Sequence, residues 1–304
     1  MHRSAKYAMA VLAVAALVVG GYLAQGSLTA PSSGAASSAT FSAFYLDLGA
    51  STSLGFQPTG IVNHNGRRTD TGYANDLLEI ENIQGVSLKL TQLGCPGESV
   101  QTILGPAPIN HCYTAPKTQL TQAVKFLKVH KGDAGLVTID LGFNDIRNCL
   151  AVTPVNGTCV NDALNVVQVG IPKIVKDLKA VSGPHVKFVG LEFENPFLAY
   201  YLLGASGPSN ATATNVAMDR LNVVLERAYK GLGVTVANVP AIFQSDNSKR
   251  VSIPNVGTIP VNVYQACQLT WMCYGQPFGP DDHPNDAGYA LIAQAIAAVL
   301  PKSW

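Results

Sequence analysis

The 304-residue sequence is poor in charge: 13% of its residues are Asp, Glu, Lys or Arg, and their signs nearly cancel at a formal +1. No basic block or Arg/Lys stripe occurs, which removes the electrostatic basis for a nucleic-acid partner. Neither GxGxxG nor GxxxxGK[ST] is present, so no phosphate-cradling loop supports nucleotide binding. There is no CxxC, and no Cys has a His at zinc-ligand spacing; neither a metal nor any other cofactor is expected. Apolar residues, by contrast, are plentiful. At 47% of a chain this long they suffice for a sizeable core in one α/β domain.

The N-terminus and the cysteines speak to location. His2, Arg3 and Lys6 precede an uncharged run over residues 7–24, the pattern of a signal peptide or a short membrane anchor. That run is near the lower limit for spanning a bilayer, and no early Cys offers a lipid attachment point. Residues 25–40 are rich in Ser, Ala, Gly and Thr and read as a flexible linker. The folded domain is expected over 41–304. Six cysteines fall into three sequence-local pairs, so disulfides Cys95–Cys112, Cys149–Cys159 and Cys267–Cys273 are expected, each closing a short excursion. Together these features imply a secreted or envelope-anchored protein, associated with a membrane if the N-terminal segment is retained, and monomeric.

From residue 44 onward, short apolar runs alternate with longer amphipathic segments. Strands are expected at 44–48, 86–92, 136–141, 186–192 and 234–238. Helices are expected at 74–82, 118–129, 160–181, 211–232 and 285–299. This alternation implies βαβ units, hence an α/β fold of three layers, α/β/α, around a mostly parallel sheet of about five strands. Residues 241–278 break the pattern, with Pro254, Pro260 and a Cys pair, and read as an irregular excursion.

The stretch Phe44-Tyr45-Leu46-Asp47-Leu48-Gly49-Ala50-Ser51 is an apolar strand that ends in small residues. A Ser just past a core strand presents its hydroxyl at the sheet rim, where open α/β sheets bind ligands. Three further segments sit at strand ends or before the last helix. They are Gly94-Cys95-Pro96-Gly97-Glu98-Ser99, Gly142-Phe143-Asn144-Asp145 and Asp281-Asp282-His283-Pro284-Asn285. They hold the parts that acyl transfer needs. A Ser hydroxyl is a weak nucleophile until an oriented imidazole takes its proton, and the oxyanion then needs preorganised donors.

These four blocks, in this order, resemble the SGNH (GDSL-like) hydrolase superfamily from about Phe44 to the C-terminus, with its flavodoxin-like fold. The resemblance implies Ser51 as nucleophile and His283 as general base. It implies an oxyanion hole of the Ser51 and Gly97 backbone N–H groups, with Gly94 as fallback, and the Asn144 amide. Two departures stand out. Ala50 occupies the position of the Asp in the GDS signature, so local hydrogen bonding must differ. Three residues before His283 stands Pro280 rather than Asp, which leaves Asp281, Asp282 or a backbone carbonyl to orient the ring. Asp281 is preferred because a one-residue shortening of the loop is the smaller change.

The implied activity is a serine esterase or lipase that hydrolyses carboxylic esters through an acyl-enzyme. Its partner would be a small-molecule or lipid ester. The apolar run at residues 196–203 suits an acyl chain, and Phe197 and Trp271 are candidates to line the cleft. His64 is expected in a loop that faces such a cleft, and Arg67 and Arg68 are candidates to bind a carboxylate or phosphate. Two rival readings are a glycan O-deacetylase of the same fold and an envelope-bound binding protein without turnover.

Overall fold

The computed structural model describes residues 41–61, 66–105 and 112–301. The expected leader and linker lie outside these residues, as does His64. Five parallel strands form one sheet in the order β2-β1-β3-β4-β5. They are β1 (Phe41–Gly49), β2 (Val86–Gln92), β3 (Gly135–Asp140), β4 (Val186–Leu191) and β5 (Thr235–Ala237). The long helices are α1 (Tyr73–Ile83), α2 (Gln119–Val129), α3 (Phe143–Leu150), α4 (Gly157–Lys179), α5 (Gly207–Lys230), α6 (Val261–Leu269) and α7 (Asp286–Ala297). Among the described residues, no helix is long and apolar enough to cross a membrane.

Strand alternation explains the three layers. Phe44, Leu46 and Leu48 of β1 point into one core with Val137 and Ile139 of β3, covered by α2, α4 and α5. Tyr45 and Leu136 point the other way, into a second core closed by α1 and α7. Every residue of β3 is buried, as expected of a central parallel strand covered on both faces. Local capping fixes the helix starts. Thr118 and Thr121 form a reciprocal capping box at α2, and the Asn285 side chain accepts the Gly288 N–H at α7.

The region 241–278 is more regular than its composition suggests. It contains an antiparallel hairpin, β6 (Arg250–Ile253) with β7 (Gly257–Pro260), followed by α6. The hairpin turns through Asn255 and Gly257, both at positive φ. Pro254 opens the turn and Pro260 closes β7, so both prolines sit where a missing N–H costs no central ladder bond. The three expected disulfides are present, with Cα–Cα separations of 5.9, 5.5 and 5.0 Å.

Candidate active site

The register of the central strands brings Gly49 opposite Asp140, so the turns that follow β1 and β3 leave the sheet side by side. Gly49 has no room for a side chain: a Cβ there would stand 2.6 Å from the Asp140 carbonyl oxygen. The buried Gln119 amide bonds both backbone groups of Gly49, accepting from its N–H and donating to its C=O at 2.9 Å. The chain then enters a short 3₁₀ turn at Thr52–Leu54, and Ser51 stands at its start.

Ser51 Oγ lies 2.8 Å from His283 Nε2, and His283 Nδ1 lies 2.7 Å from Asp281 Oδ1. Asp281 Oδ1 also accepts the His283 backbone N–H at 2.9 Å, so one oxygen holds both the ring and the peptide that carries it. Asp282 is turned away. Its nearest oxygen is 4.0 Å from His283 Nδ1, and its carboxylate is taken by the Arg147 guanidinium through Nε and Nη2. Phe56 packs against the His283 ring at 5.4 Å.

Gly97 and Asn144 come to the same place. Both line a cleft of about 410 Å³ together with Ser51, His283 and Asp281. Gly97 has φ +82, a conformation that favours Gly, and both it and Pro96 line the cleft. Asn144 donates one amide hydrogen to the Glu98 carbonyl at 2.9 Å, which leaves the other for a ligand. Asp145 accepts the Val100 N–H at 2.8 Å, tying the start of α3 to the segment that follows Gly97. Gly94 does not line the cleft; it packs on the turn that follows Ser51, where a Cβ would meet Ser53 Oγ at 2.0 Å.

The model of the GDSL-like lipase/acylhydrolase family matches residues 48–291. The chain belongs to this family. No curated protein sequence matches it. Among solved structures, phospholipase A1 from Streptomyces albidoflavus NA297 is 18% identical, with 85% of this chain and 99% of that one covered and a TM-score of 0.53. The extracellular lipase from Streptomyces rimosus is 18% identical over 85% of this chain and 100% of its own, with a TM-score of 0.54. The lipase Lip_vut3 from a goat rumen metagenome is 16% identical over 84% and 97%, with a TM-score of 0.51. At these identities the likeness is one of fold, and that fold is the single α/β domain described above.

Within the GDSL-like framework, residues that the sequence motifs do not flag enter the site or lie in the strands that lead to it. Arg147 is one helical turn beyond Asn144 on α3, and that i, i+3 spacing is the signal that would have found it. Asp140 and Asp47 are carboxyls inside strands that otherwise read as apolar, which marks them as buried polar groups in need of an account. Asp140 addresses the Ala50 departure. Its carboxyl stands over Gly49 and near the backbone N–H of Ser53, while Ser53 Oγ donates to the Ala50 carbonyl at 2.8 Å. A carboxyl from the neighbouring strand thus lies beside the Ser51 turn. Asp47 accepts from the hydroxyls of Tyr73 and Thr138 at 2.8 and 2.7 Å.

The electrostatics separate these acids. Burial raises Asp47 to about 7, against the hydrogen bonds from Thr138 and Tyr73. Burial also raises Asp140 well above the carboxylate range, reinforced by the charges of Asp47 and Glu194. Burial would raise Asp281 too, but the hydrogen bond and charge of His283 outweigh it and hold Asp281 below its ordinary value. Burial would lower His283; the Asp281 bond and charge, with Asp282, overcome this and raise it.

Of the two candidate cleft aromatics, Phe197 lines a cavity adjoining the cleft and Trp271 lines neither space. The reason is local. The Trp271 indole N–H donates to Gln57 Oε1 at 3.1 Å, and its ring stacks on Phe278 and packs on Tyr274, so it serves the excursion as core. Arg67 and Arg68 do not line the cleft either. Arg67 pairs through its backbone with Gln57, and the Arg68 guanidinium donates to Gln92.

Proposed function

We propose that this protein is an exported carboxylic-ester hydrolase that works through a Ser51 acyl-enzyme. The observation that carries this reading is the continuous hydrogen-bond line from Asp281 through His283 to Ser51, opening onto a cleft walled by Gly97 and Asn144. Ser51 Oγ attacks the ester carbonyl carbon while His283 Nε2 takes its proton. The tetrahedral oxyanion is received by the Ser51 and Gly97 N–H groups and the Asn144 amide. As the intermediate collapses, His283 returns the proton to the departing alkoxide. Water then attacks the acyl carbon as His283 takes its proton, and His283 returns that proton to Ser51 Oγ as the acid leaves. Asp281 keeps the imidazole in the tautomer whose Nε2 is free to accept.

Export is supported by the basic and apolar N-terminal segment together with three disulfides. A lipid-type ester is favoured over a glycan ester because the space beside the cleft is walled by Phe197, Leu202 and Met272. The binding-protein reading has less behind it, since it gives no account of the Ser51–His283–Asp281 line and the Asn144 amide beside it.

The first test is labelling of the oxidised protein with a fluorophosphonate, followed by peptide mapping. Stoichiometric labelling on the Ser51 peptide, with turnover of p-nitrophenyl esters, is the expected result. A folded protein that neither labels nor turns over would move the reading to the binding protein. Asn144→Ala should then lower kcat by about 10²–10³ with little change in KM, as removal of one oxyanion donor does elsewhere. Steady-state kinetics would show it, and an effect confined to KM would place Asn144 in ground-state binding instead.

A further inference from the structure

Beside the cleft lies a second cavity of about 370 Å³, which shares Arg147, Asp281 and Asp282 with it. One wall comes from the 3₁₀ segment Pro196–Leu202, through Phe197, Tyr200 and Leu202. The opposite wall is Met272-Cys273-Tyr274, anchored to α6 by the Cys267–Cys273 disulfide. The two spaces are joined by aromatic rings. Phe143, which lines the cleft, stacks on Phe197 at 6.1 Å with 9° between planes, and Phe197 packs on Tyr200 at 5.4 Å.

The polar groups at the junction are already engaged. Arg147 Nε and Nη2 are taken by Asp282, and Asp281 by His283, so the ion pair forms a threshold with its charges matched. Beyond that threshold the walls are mainly apolar and aromatic. A sugar buried there would lose water from hydroxyls that find few partners, a cost met at each hydroxyl. A hydrocarbon chain would lose nothing of the kind and would gain with each methylene it buries.

We infer that this second cavity receives an unbranched, medium-length hydrocarbon arm of the ester whose carbonyl sits at Ser51. The chain passes over the Arg147–Asp282 pair and along the Phe143–Phe197–Tyr200 wall. This rests on the ester-hydrolase reading, and it names the substrate class of that site. The arm belongs to either the acyl or the alcohol half of the ester, since the chemistry of recognition is the same for both.

Ala151 lines this cavity from the exposed C-terminal end of α3, so Ala151→Trp fills the space without disturbing the core. Leu203, which also lines it and is 62% exposed, gives an independent variant in Leu203→Asp. Two ratios of kcat/KM are measured: p-nitrophenyl octanoate over acetate, and octyl acetate over ethyl acetate. In both variants one ratio should fall by about tenfold or more, the scale on which hydrophobic pockets discriminate, and the ratio that falls names the half of the ester that is held. If both ratios stay within about twofold in both variants, the cavity is not the subsite. Should the wild-type protein hydrolyse no ester, the enzyme reading itself fails, and the cavity is then judged by titration with 1-octanol. Binding by the wild type that Ala151→Trp abolishes would sustain it; equal binding, or none, would overturn it.

Discussion

Ser51→Ala should reduce kcat for every ester by about 10⁵–10⁶, the loss expected when a serine nucleophile is removed from a triad. No neighbour can stand in. Ser53 is fully buried and its hydroxyl is committed to the Ala50 carbonyl. Thr52, also in the cleft wall, has no imidazole bonded to it; His283 Nε2 is directed at Ser51. His283→Ala should cost nearly as much, and the double variant little more, because the two residues act as one unit. Ser51 is partly exposed, so the alanine variant should melt within about 0.5 kcal/mol of the wild type. Rates and melting curves together make the test: retention of more than about one part in a hundred of the activity would point to a different nucleophile.

Asp281→Asn and Asp282→Asn should part company. The first replaces the oxygen that holds both His283 Nδ1 and the His283 backbone N–H. An amide there can turn its NH₂ towards the ring and favour the tautomer that blocks Nε2, and kcat should fall by about 10⁴. The second leaves the His283–Asp281 bond intact and weakens the partner of Arg147 instead. Because Arg147 is 43% exposed it can turn to water, so the loss should show as about 1–2 kcal/mol of stability and at most about tenfold in kcat. One adjacent carboxylate thus reports in turnover and the other in melting. Equal losses of turnover would mean that both carboxylates serve His283.

How much of this was legible in the sequence depends on the distance over which each feature is decided. The five strands and the long helices are readable because local apolar period and capping residues fix them; Thr118 and Asn285 are examples. The four loops converge because parallel strands deliver their ends to one edge, so Ser51, Gly97, Asn144 and His283 could be placed together. Asp281 could be preferred over Asp282 from loop length alone, but what separates the two carboxylates could not be read. That separation is made by long-range contacts: the Asp281 N–H donates to the Trp271 carbonyl, and the Trp271 N–H to the His283 carbonyl. Those bonds set the twist of the loop, and Arg147 claims the remaining carboxylate. The hairpin at 250–260 was hidden because its prolines mimic irregular structure, and Trp271 drew attention to the cleft although Gln57 holds it elsewhere.

Two buried acids, one in β1 and one just after β4, give the protein two opposed relations to pH. Asp47 is fully buried and raised to about 7, and Glu194, 7% exposed, is raised to about 7 as well. A carboxyl raised on folding stabilises the native state in full below its unfolded value near 4, and that contribution is lost as pH climbs through the folded value. The melting temperature should therefore be lower at about pH 8.5 than at about pH 5.5, by roughly 10 °C or more. Turnover runs the other way. His283 must be unprotonated to accept from Ser51, and its raised pKa places the acid limb of kcat/KM above 6.5. Calorimetry and a pH–rate profile on the same sample would show the crossing, and a melting temperature that is flat with pH would mean the buried acids are hydrated. The conditions in which this protein works fastest are then those in which it lasts least, and mild acid is where it keeps.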